Sequence, residues 1–429
     1  MKVIHLSTHD IAGGAARAAY RIHCALNKHG IDSHMRVLSR QTNDSNVIGG
    51  HSRTIPDRCL LFLHRRWMNY IRRNWQSGNP TFHTFGDIGA GLVDELNTSD
   101  ADMLNLHWVS NLLSIKDIGR LNKPLVWTMH DMWPFCGGEH YAPDDDSARF
   151  HAGYWPSNRP TGEHGPDLNR MTWETKRKEW MGRPFTLVSP SNWLANCARK
   201  SILFANSPVH VIPYTLDLDH LWRPIAQNVA RIALNLPLHK KLILAGAMGG
   251  VTDPRKGGDL LRQAISRIAA SQTSDSLEII IFGQDKPSHQ DWPCPVHWLG
   301  VVSDDRILAQ AYSAADVVVV SSRQDNLPNI ALEAQACGTP VAAFSIGGLP
   351  DIIMHRETGW LATPFDSIEL AEGILWILSD KDRHASLSAS SRKKAVERYA
   401  ESVIAAKYAD LYLNLLAKDK LASAPDEIT

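Results

Sequence analysis

The chain has 429 residues, and its 45 Lys plus Arg balance its 45 Asp plus Glu, so the formal net charge at pH 7 is zero. Such a balance gives no net field that would favour nucleic acid, and we expect no nucleic-acid partner. The length exceeds the size at which a single core stops growing, and 44% hydrophobic residues suffice for two cores, so two domains are expected.

The cysteine positions and the lengths of the apolar runs indicate the cellular compartment. The six cysteines are scattered without a CxxC pair, which argues against a zinc knuckle or a disulfide framework and favours a reducing environment. The first apolar run is too short for a signal peptide, and no uninterrupted apolar run reaches about eighteen residues. We expect a cytoplasmic protein that is at most peripheral on the inner face of the cytoplasmic membrane.

The chain begins with a strand, a glycine pair and a helix. Residues 2–7 are predicted to form the strand, and the helix continues to about residue 28. Gly13 and Gly14 stand between the two elements and would let a phosphate or an acceptor approach the backbone closely. A simple tight turn explains the same pair, because the pattern is not GxGxxG.

Residues 59–75 predict an amphipathic helix with arginines beside its apolar face. The apolar positions at helical spacing are Leu60, Leu63, Trp67, Tyr70 and Ile71, and the basic positions are Arg65, Arg66, Arg72 and Arg73. One interpretation is a helix that contacts anionic lipid head groups at a membrane surface. The other is an ordinary helix that packs on a core with its arginines in water.

Two further strands are predicted at residues 102–108 and 124–129. His130 follows the second strand directly, which is a position typical of catalytic or binding groups, although a lone histidine is also commonly structural. The acidic triplet at residues 144–146 invites a metal interpretation. Because no strand precedes it and no partner cluster accompanies it, we favour a solvated loop and expect no metal site.

The second half repeats the alternation of strands and helices. We place the domain boundary at 205–225, and the following strand candidates begin near residues 241, 277, 296, 316 and 340. Strands that alternate with helices predict α/β domains with doubly wound parallel sheets, one in each half. Residues 380–416 are expected to be mostly helical, and the tail from residue 417 is expected to be disordered.

Two loops of the second half carry candidate binding residues. Arg255 and Lys256 precede two glycines at a helix start, where cations and helix N–H groups suit a diphosphate, although a solvated turn is the simpler alternative. The stretch 321–340 follows a predicted strand and reads as a loop and then a helix. Asp325 in the loop and Glu333 in the helix lie eight residues apart. Such a junction at the end of a parallel strand is where ligands gather, and two carboxylates so spaced suit an elongated polyol.

With these motifs the sequence resembles the retaining GT-B glycosyltransferases of the family 4 kind, the glycosyl transferases group 1. The Asp325-x7-Glu333 motif is the most specific, and it is accompanied by the RKG at 255–257, the glycine pair and His130. The resemblance implies two Rossmann-like domains that face a cleft. Residues 1–210 would bind the acceptor and residues 211–395 the nucleotide sugar, while residues 396–429 would form a helix that crosses back, plus a disordered tail.

The resemblance also implies roles for residues in the second half. Glu333 would bind the nucleotide ribose, Asp325 a donor-sugar hydroxyl, and the amides of residues 326–327, Asn326 and Leu327, the sugar and phosphate. Arg255 and Lys256 would neutralise the leaving diphosphate, so that neither a metal ion nor another cofactor is required. The family commonly has Glu where this chain has Asp325, and the shorter side chain leaves the donor sugar open.

In the first half, the resemblance places His130 near the anomeric carbon and the donor sugar, and Gly13 and Gly14 beside the diphosphate. The implied reaction is transfer of a hexose from a UDP- or GDP-sugar to a glycan or lipid-linked acceptor, in bacterial surface polysaccharide or lipopolysaccharide assembly. A nucleotide-sugar epimerase on a similar scaffold and a non-catalytic sugar-nucleotide-binding protein are the alternatives.

Overall fold

The computed structural model of the chain describes residues 1–50, 55–246, 253–270, 277–288 and 292–423. The chain divides into two compact units. Unit 1 consists of Met1–Ile212 together with Ala405–Thr429, and unit 2 consists of Pro213–Ile404. The sequence predicts domain limits at 210 and 395, and the function assigned to each domain stays a prediction.

Unit 1 is built on a seven-stranded parallel sheet. Its strands are β1 (Lys2–His9), β2 (Asp32–Ser39), β3 (Val47–Ile48), β4 (Met103–Leu106), β5 (Leu125–Thr128), β6 (Phe185–Ser189) and β7 (Val209–Val211). The strand order is β3-β2-β1-β4-β5-β6-β7, so the direction of winding reverses between β1 and β4. Ligands of such sheets bind beyond the carboxyl ends of the strands at this reversal.

Helices cover the sheet of unit 1. They are α1 (Gly14–Lys28), α2 (Ile55–Arg73), α3 (Val93–Thr98), α4 (Ile115–Arg120), α5 (Arg149–Ala152), α6 (Leu168–Trp180) and α7 (Asn192–Lys200). The strands β4, β5 and β6 are buried along their whole length, as expected for a parallel sheet covered on both faces. Four indoles fill the core, those of Trp127, Trp133, Trp173 and Trp180.

Unit 2 contains a six-stranded parallel sheet with its own reversal. Its strands are β8 (Lys241–Gly246), β9 (Leu277–Phe282), β10 (Val296–Gly300), β11 (Val317–Val320), β12 (Val341–Phe344) and β13 (Gly359–Ala362). The order β10-β9-β8-β11-β12-β13 places the reversal between β8 and β11. The two candidate loops of the second half follow these two strands, so the strand order brings them to the same edge of the sheet.

The helices of unit 2 are α8 (Gln227–Ala233), α9 (Gly258–Ala270), α10 (Asp305–Ala314), α11 (Asn329–Ala336), α12 (Leu349–Ile352), α13 (Ser367–Leu378) and α14 (Lys381–Tyr399). With two parallel, helix-covered sheets, the predicted α/β class with two doubly wound domains is confirmed. In the part of the chain that the structure describes, no helix combines the length and apolar character needed to cross a membrane.

The last helix, α15 (Glu401–Ser423), joins unit 2 to the end of unit 1. Within unit 1, the amide of Asn105 donates to the Tyr412 hydroxyl at 2.8 Å, and the hydroxyls of Thr128 and Tyr408 lie 3.2 Å apart. The prediction of a disordered tail from residue 417 is wrong as far as Ser423, because the helix continues through it. Residues 424–429 lie outside the described part.

Helix α2 corresponds to the predicted amphipathic helix at 59–75. Its inner side packs Met68 and Ile71 against Phe85 and Leu168. Three residues expected on its packing face are exposed instead, namely Leu63, Trp67 and Tyr70. The side chains of residues 55–61 and of residue 65 lie outside the described part, so Leu60 and Arg65 are not placed.

Candidate functional site

The loop that follows β8 ends in a short 3-10 turn, Pro254–Lys256, which carries both predicted cations. The Asp253 carboxylate caps this turn by accepting from the backbone N–H of Arg255 at 2.9 Å. Gly257 then adopts φ +64°, and a Cβ there would lie 2.0 Å from the backbone oxygen of Ser321. Only glycine lets the loops after β8 and β11 approach so closely. Residues 247–252 of the predicted loop lie outside the described part.

The close approach of these loops brings Lys256 into contact with Asp325. The Lys256 ammonium donates to Asp325 Oδ2 at 2.6 Å, and the Ser322 hydroxyl donates to the same oxygen at 3.3 Å. The Arg255 guanidinium donates to the backbone oxygen of Gln324 at 3.0 Å and lies 3.8 Å from the carboxylate. Although burial favours the neutral acid, these cations hold the pKa of Asp325 below its usual value.

A second glycine supports Asp325 from the other side. Gly347 adopts φ +53°, and a Cβ there would lie 1.9 Å from the backbone oxygen of Asp325. The backbone N–H of Gly348 donates to that oxygen at 3.2 Å. The loop after β12 therefore holds the backbone of Asp325, so the position of this residue does not depend on its ion pair with Lys256 alone. The residues after Asp325, Asn326 and Leu327, are buried in the same loop.

Glu333 lies on the predicted helix, which is α11 and begins at Asn329. Its carboxylate is buried, and Oε2 accepts a hydrogen bond from the Tyr312 hydroxyl at 2.8 Å. The Tyr312 ring packs against Phe282 and Trp222, which holds the hydroxyl in place. Tyr312 thus orients one oxygen of the carboxylate, and an ionised carboxylate has two oxygens that accept hydrogen bonds.

In unit 1, His130 belongs to a line of three hydrogen-bonded imidazoles, which we call the histidine chain: His5, His107 and His130. His130 Nε2 lies 3.0 Å from His107 Nδ1, and His107 Nε2 lies 2.8 Å from His5 Nδ1. Successive rings are stacked with centroids 5.2 and 5.1 Å apart. Burial lowers the pKa of His130 to about 4 and also lowers the pKa values of His5 and His107, so all three are neutral at pH 7.

The histidine chain lies at the reversal of the unit 1 sheet. His5 is on β1, and His107 and His130 follow β4 and β5 at their carboxyl ends. A pocket opens beside His130, and its lining includes Thr84, Trp108, Ser110, Asp131, Trp133 and His140. In this lining the Asp131 carboxylate accepts from His140 Nδ1 at 2.6 Å. The pocket is therefore both aromatic and polar.

A buried lysine holds the loop after β5 that carries these residues. Lys176 is fully buried on α6, and its ammonium donates to the backbone oxygens of Trp133, Cys136 at 3.0 Å and Gly137 at 2.8 Å. It also lies 3.7 Å from the centroid of the Trp133 indole ring, a cation–π contact. One side chain thus satisfies three loop carbonyls and fixes the wall of the pocket.

The glycine pair lies at the start of α1. Gly13 adopts φ +105° and stands at the N-terminal cap of the helix, and Gly14 is its first residue. The loop between β1 and α1 is held by the buried Asp10, whose carboxylate accepts from the backbone N–H groups of Gln41 at 2.8 Å and Thr42 at 2.7 Å. The predicted strand, glycine turn and helix are confirmed, and the binding role of the pair stays a prediction.

Of the predicted site residues, the structure brings Arg255, Lys256 and Asp325 into direct contact, whereas the roles assigned to them stay predictions. Sequence reasoning missed His5, His107, Tyr312 and Gly347. His107 gave a signal, since it lies near the end of the strand predicted at residues 102–108. Tyr312 gave none, because its contact with the motif comes from helix packing.

Comparisons with known proteins find similarity to glycosyltransferases. A family model described as "Glycosyl transferases group 1" matches residues 240–380, which include all the predicted donor-site residues of unit 2. The matched residues all lie in unit 2. The chain is 31% identical over 220 residues to a D-inositol 3-phosphate glycosyltransferase of Xylanimonas cellulosilytica, covering 48% of this chain and 51% of the relative. The chain thus spans about half the length of the first curated relatives it matches.

Solved structures match over nearly the whole chain. A sucrose-phosphate synthase from Thermosynechococcus elongatus aligns with a TM-score of 0.66 at 21% identity, covering 97% of this chain and 100% of that one. Anabaena HepE, solved in complex with UDP and glucose, aligns with a TM-score of 0.62 at 17% identity, covering 96% and 99%. The chain therefore has the expected GT-B fold.

Proposed function

We propose that the chain is a retaining glycosyltransferase that moves a hexose from a nucleotide-diphosphate sugar to a glycan or lipid-linked acceptor. The observation that carries this proposal is the Lys256–Asp325 pair, with Arg255 beside it, at the reversal of the unit 2 sheet. The matched family model and Anabaena HepE, which has been solved in complex with UDP-glucose, support the same class of reaction.

The two cations suit a leaving diphosphate. Negative charge builds on the diphosphate as the glycosidic bond breaks, and preorganised cations stabilise that charge most in the transition state. The Lys256 ammonium has three N–H donors, of which Asp325 takes one, so the same group can serve a phosphate oxygen. The proposal requires no divalent ion, and activity should survive treatment with EDTA.

The acidic groups of unit 2 suit the sugars of the donor. Glu333, oriented by Tyr312, would accept hydrogen bonds from the ribose hydroxyls. Asp325, held by Lys256, would accept from a hydroxyl of the transferred sugar, and the backbone N–H groups of Asn326 and Leu327 would meet sugar and phosphate oxygens. In unit 1, the glycine pair would admit a phosphate close to the backbone.

The acceptor would bind in unit 1 beside His130. The half-buried Trp108 and the exposed Phe82 have ring centroids 6.4 Å apart, and both rings lie against His140. Aromatic faces of this kind suit the apolar face of a sugar ring. We place the reaction in the assembly of bacterial surface polysaccharide or lipopolysaccharide, on the cytoplasmic side.

The test is a nucleotide and donor screen. Thermal shifts with UDP, GDP and ADP identify the base, since a ligand that binds only the folded state raises Tm. The matching nucleotide sugars are then incubated with glycan and lipid-linked acceptors, and products are analysed by mass spectrometry. Epimerised donor without transfer favours the epimerase, binding without turnover favours a non-catalytic protein, and no binding of any nucleotide overturns the proposal.

We also propose that α2 contacts an anionic membrane surface peripherally. Its outward side chains Phe62, Leu63, Trp67 and Tyr70 are between 56% and 67% exposed. Arg66 and Arg73 are exposed beside them. Apolar rings next to arginines match an interface with anionic head groups, and a lipid-linked acceptor would be found at such a surface.

Vesicle sedimentation tests this contact. Phosphatidylglycerol vesicles should bind the protein more strongly than phosphatidylcholine vesicles. The double variants Trp67→Ser/Tyr70→Ser and Arg66→Gln/Arg73→Gln should each weaken binding, and Tm should stay unchanged because these side chains are exposed. Equal binding of wild type and variants would reject the membrane contact without touching the transferase proposal.

A further inference from the structure

The pocket of unit 1 contains a second hydrogen-bonded series, which we call the Thr84 network: Asp131, His140 and Thr84. The Asp131 carboxylate lies 2.6 Å from His140 Nδ1, and the Thr84 hydroxyl lies 2.9 Å from His140 Nε2. All three residues line the pocket. The proposed reaction gives the Thr84 hydroxyl no role so far.

The Asp131 carboxylate fixes the direction of these hydrogen bonds. Although burial favours the neutral acid, the contacts with His140 and with the backbone N–H of Trp133 at 3.0 Å hold the pKa of Asp131 below its usual value. An ionised carboxylate only accepts hydrogen bonds, so the hydrogen is on His140 Nδ1. In the neutral imidazole Nε2 is then an acceptor, and the Thr84 hydroxyl donates to it. The Thr84 oxygen keeps its lone pairs, and it makes no other hydrogen bond among the described residues.

The same assignment leaves a donor without an acceptor. Trp108 Nε1 lies 3.3 Å from His140 Nδ1, but a ring nitrogen that donates its hydrogen has no lone pair for the indole N–H. No other residue in the described part of the chain accepts from this N–H. The Trp108 side chain is half-buried in the lining of the pocket. Water or a ligand is therefore needed to accept from the indole N–H.

The Thr84 hydroxyl is not needed to hold its own segment. The backbone N–H of Thr84 donates to the oxygen of Gly138 at 2.8 Å, and the backbone oxygen of Thr84 accepts from Trp133 Nε1 at 2.7 Å. Two residues earlier, the Phe82 side chain is 63% exposed, and its ring centroid lies 6.4 Å from that of Trp108. Two aromatic rings with one free donor and one free acceptor match a sugar, which has apolar faces and hydroxyl groups.

We propose that Thr84 and Trp108 bind a sugar unit of the acceptor. Thr84 Oγ1 accepts from one sugar hydroxyl, and the Trp108 indole N–H donates to another sugar oxygen. Asp131 and His140 are positioning residues that set the direction of the Thr84 O–H. That the bound sugar is the acceptor of a transfer rests on the proposed function, whereas sugar binding itself follows from the groups of unit 1.

The direct test is NMR of the indole N–H groups of the full chain, without any donor. The chain has 14 tryptophans, so the Trp108 signal is assigned by its loss in Trp108→Phe. The probes are the methyl glycosides of glucose, galactose, mannose and N-acetylglucosamine. We expect at least one of them to shift the Trp108 signal saturably. If none of the four shifts it, the sugar site is overturned.

Variants of Thr84 test the acceptor oxygen. Thr84→Val removes this oxygen at nearly the same volume and should weaken binding of the shifting glycoside about tenfold, and Thr84→Ser should restore it. Thr81→Val is the matched control, because it removes a hydroxyl that donates to the backbone oxygen of Tyr141 at 3.0 Å, and it should bind as the wild type does. Equal binding by wild type and Thr84→Val overturns the proposal.

Deoxy analogues of the same glycoside give a second measurement that needs no variant to fold. The analogue that lacks the bonded hydroxyl should bind the wild type about tenfold more weakly than the parent glycoside. In Thr84→Val, the same analogue and its parent should bind almost equally. If every deoxy analogue binds the wild type as tightly as the parent, the hydrogen bond to Thr84 is overturned.

Kinetics with the acceptor found in the donor screen test the positioning role. Thr84→Val and Asp131→Asn should each raise the acceptor KM about tenfold and leave kcat and the donor KM within about twofold. A fall in kcat with an unchanged acceptor KM in Asp131→Asn would make Asp131 only structural and overturn its positioning role. Glycoside binding without transfer from any donor would leave the sugar site and reject the proposed function. Transfer with an unmoved Trp108 signal would do the reverse.

Discussion

The two units place their candidate groups at equivalent points of similar sheets but use opposite electrostatics. In unit 1 the histidine chain is buried and neutral, and its members are joined by hydrogen bonds and by ring stacking. In unit 2 the corresponding reversal carries Lys256, Arg255 and Asp325 in ionic contact. The neutral site can orient hydroxyl groups without attracting ions, whereas the charged site can stabilise phosphate. Under the proposed function, unit 1 would bind the acceptor and unit 2 the donor, and this contrast suits those two roles.

The largest expected effect is on the charged site. Lys256→Ala should lower turnover by about 10²–10³-fold, because a preorganised donor to the leaving diphosphate is lost. Binding of the free nucleoside should weaken much less, which steady-state kinetics and calorimetry would separate. Lys256→Arg and the surface variant Lys393→Ala serve as controls. Unchanged turnover in Lys256→Ala would contradict the leaving-group role. The charged residues of unit 2 would then have no functional difference from the neutral histidine chain of unit 1.

The neutral histidine chain predicts that the free energy of unfolding of unit 1 depends on pH. Burial lowers the pKa of His130 to about 4, below its value near 6.5 in the unfolded chain, so the unfolded state binds more protons between these limits. The free energy of unfolding should therefore fall as the pH drops from about 6.5 to about 4. Each buried neutral histidine should contribute about 1.4 kcal/mol per pH unit.

Proteolysis in urea, with fragments assigned to each unit by mass spectrometry, would measure this loss. In unit 2, the lowered pKa of Asp325 makes its contribution disappear only as the pH falls below about 3.8. His107→Asn should make the slope of unit 1 shallower by the share of one histidine. Equal acid sensitivity of both units above pH 5 would contradict the assignment of neutral imidazoles to unit 1.

A smaller effect is expected where a neutral hydroxyl supports the charged site. Tyr312→Phe removes the donor to Glu333 Oε2 and should weaken binding of the preferred nucleotide about tenfold. Tyr399→Phe is the matched control, since its hydroxyl contacts only the backbone oxygen of Asp351 at 3.4 Å in the described structure. Equal affinities in wild type and Tyr312→Phe would show that Glu333 needs no orienting partner.

The smallest effect is expected for an exposed ion pair on the same loops. Arg323 and Asp259 approach to 2.6 Å, but their side chains are 38% and 56% exposed. Exposed pairs contribute about 0.2–1 kcal/mol, so Arg323→Ala should change stability by at most about 1 kcal/mol and turnover by less than about twofold. A large loss of turnover would mean that the functional charge extends beyond Lys256 and Arg255.

The sequence predicted the charged site better than the neutral one. The apolar runs that become β8, β9 and β11 and the capping signals of α11 are local, so the junction that holds Asp325 and Glu333 was visible without a structure. Both loops follow predicted strands, and the strand order brings Lys256 and Asp325 to one edge of the sheet. Their ion pair depends on the close approach at Gly257, which no local pattern indicates.

The elements that sequence reasoning missed share a physical cause. In β2, Met35 and Val37 alternate with His34 and Arg36, so the strand shows no apolar run, although Arg36 is buried and bonded to Glu95. β3 has only two residues, too few for a periodic signal, and β13 begins with a glycine, a residue that is depleted in strands. The histidine chain was missed because its members come from three strands far apart in sequence, and only the parallel order β1-β4-β5 aligns them.

Helix α15 determines when unit 1 can complete its folding during synthesis on the ribosome. The hydroxyls of Tyr408 and Tyr412 close hydrogen bonds with Thr128 and Asn105, residues made about 280 and 307 positions earlier. Unit 2 is complete in the nascent chain by residue 404, before these tyrosines emerge. Unit 1 is therefore translated first but completed last. Asn105 and Thr128, which bond each other at 3.0 Å, gain the two tyrosine hydroxyls only when α15 has been made.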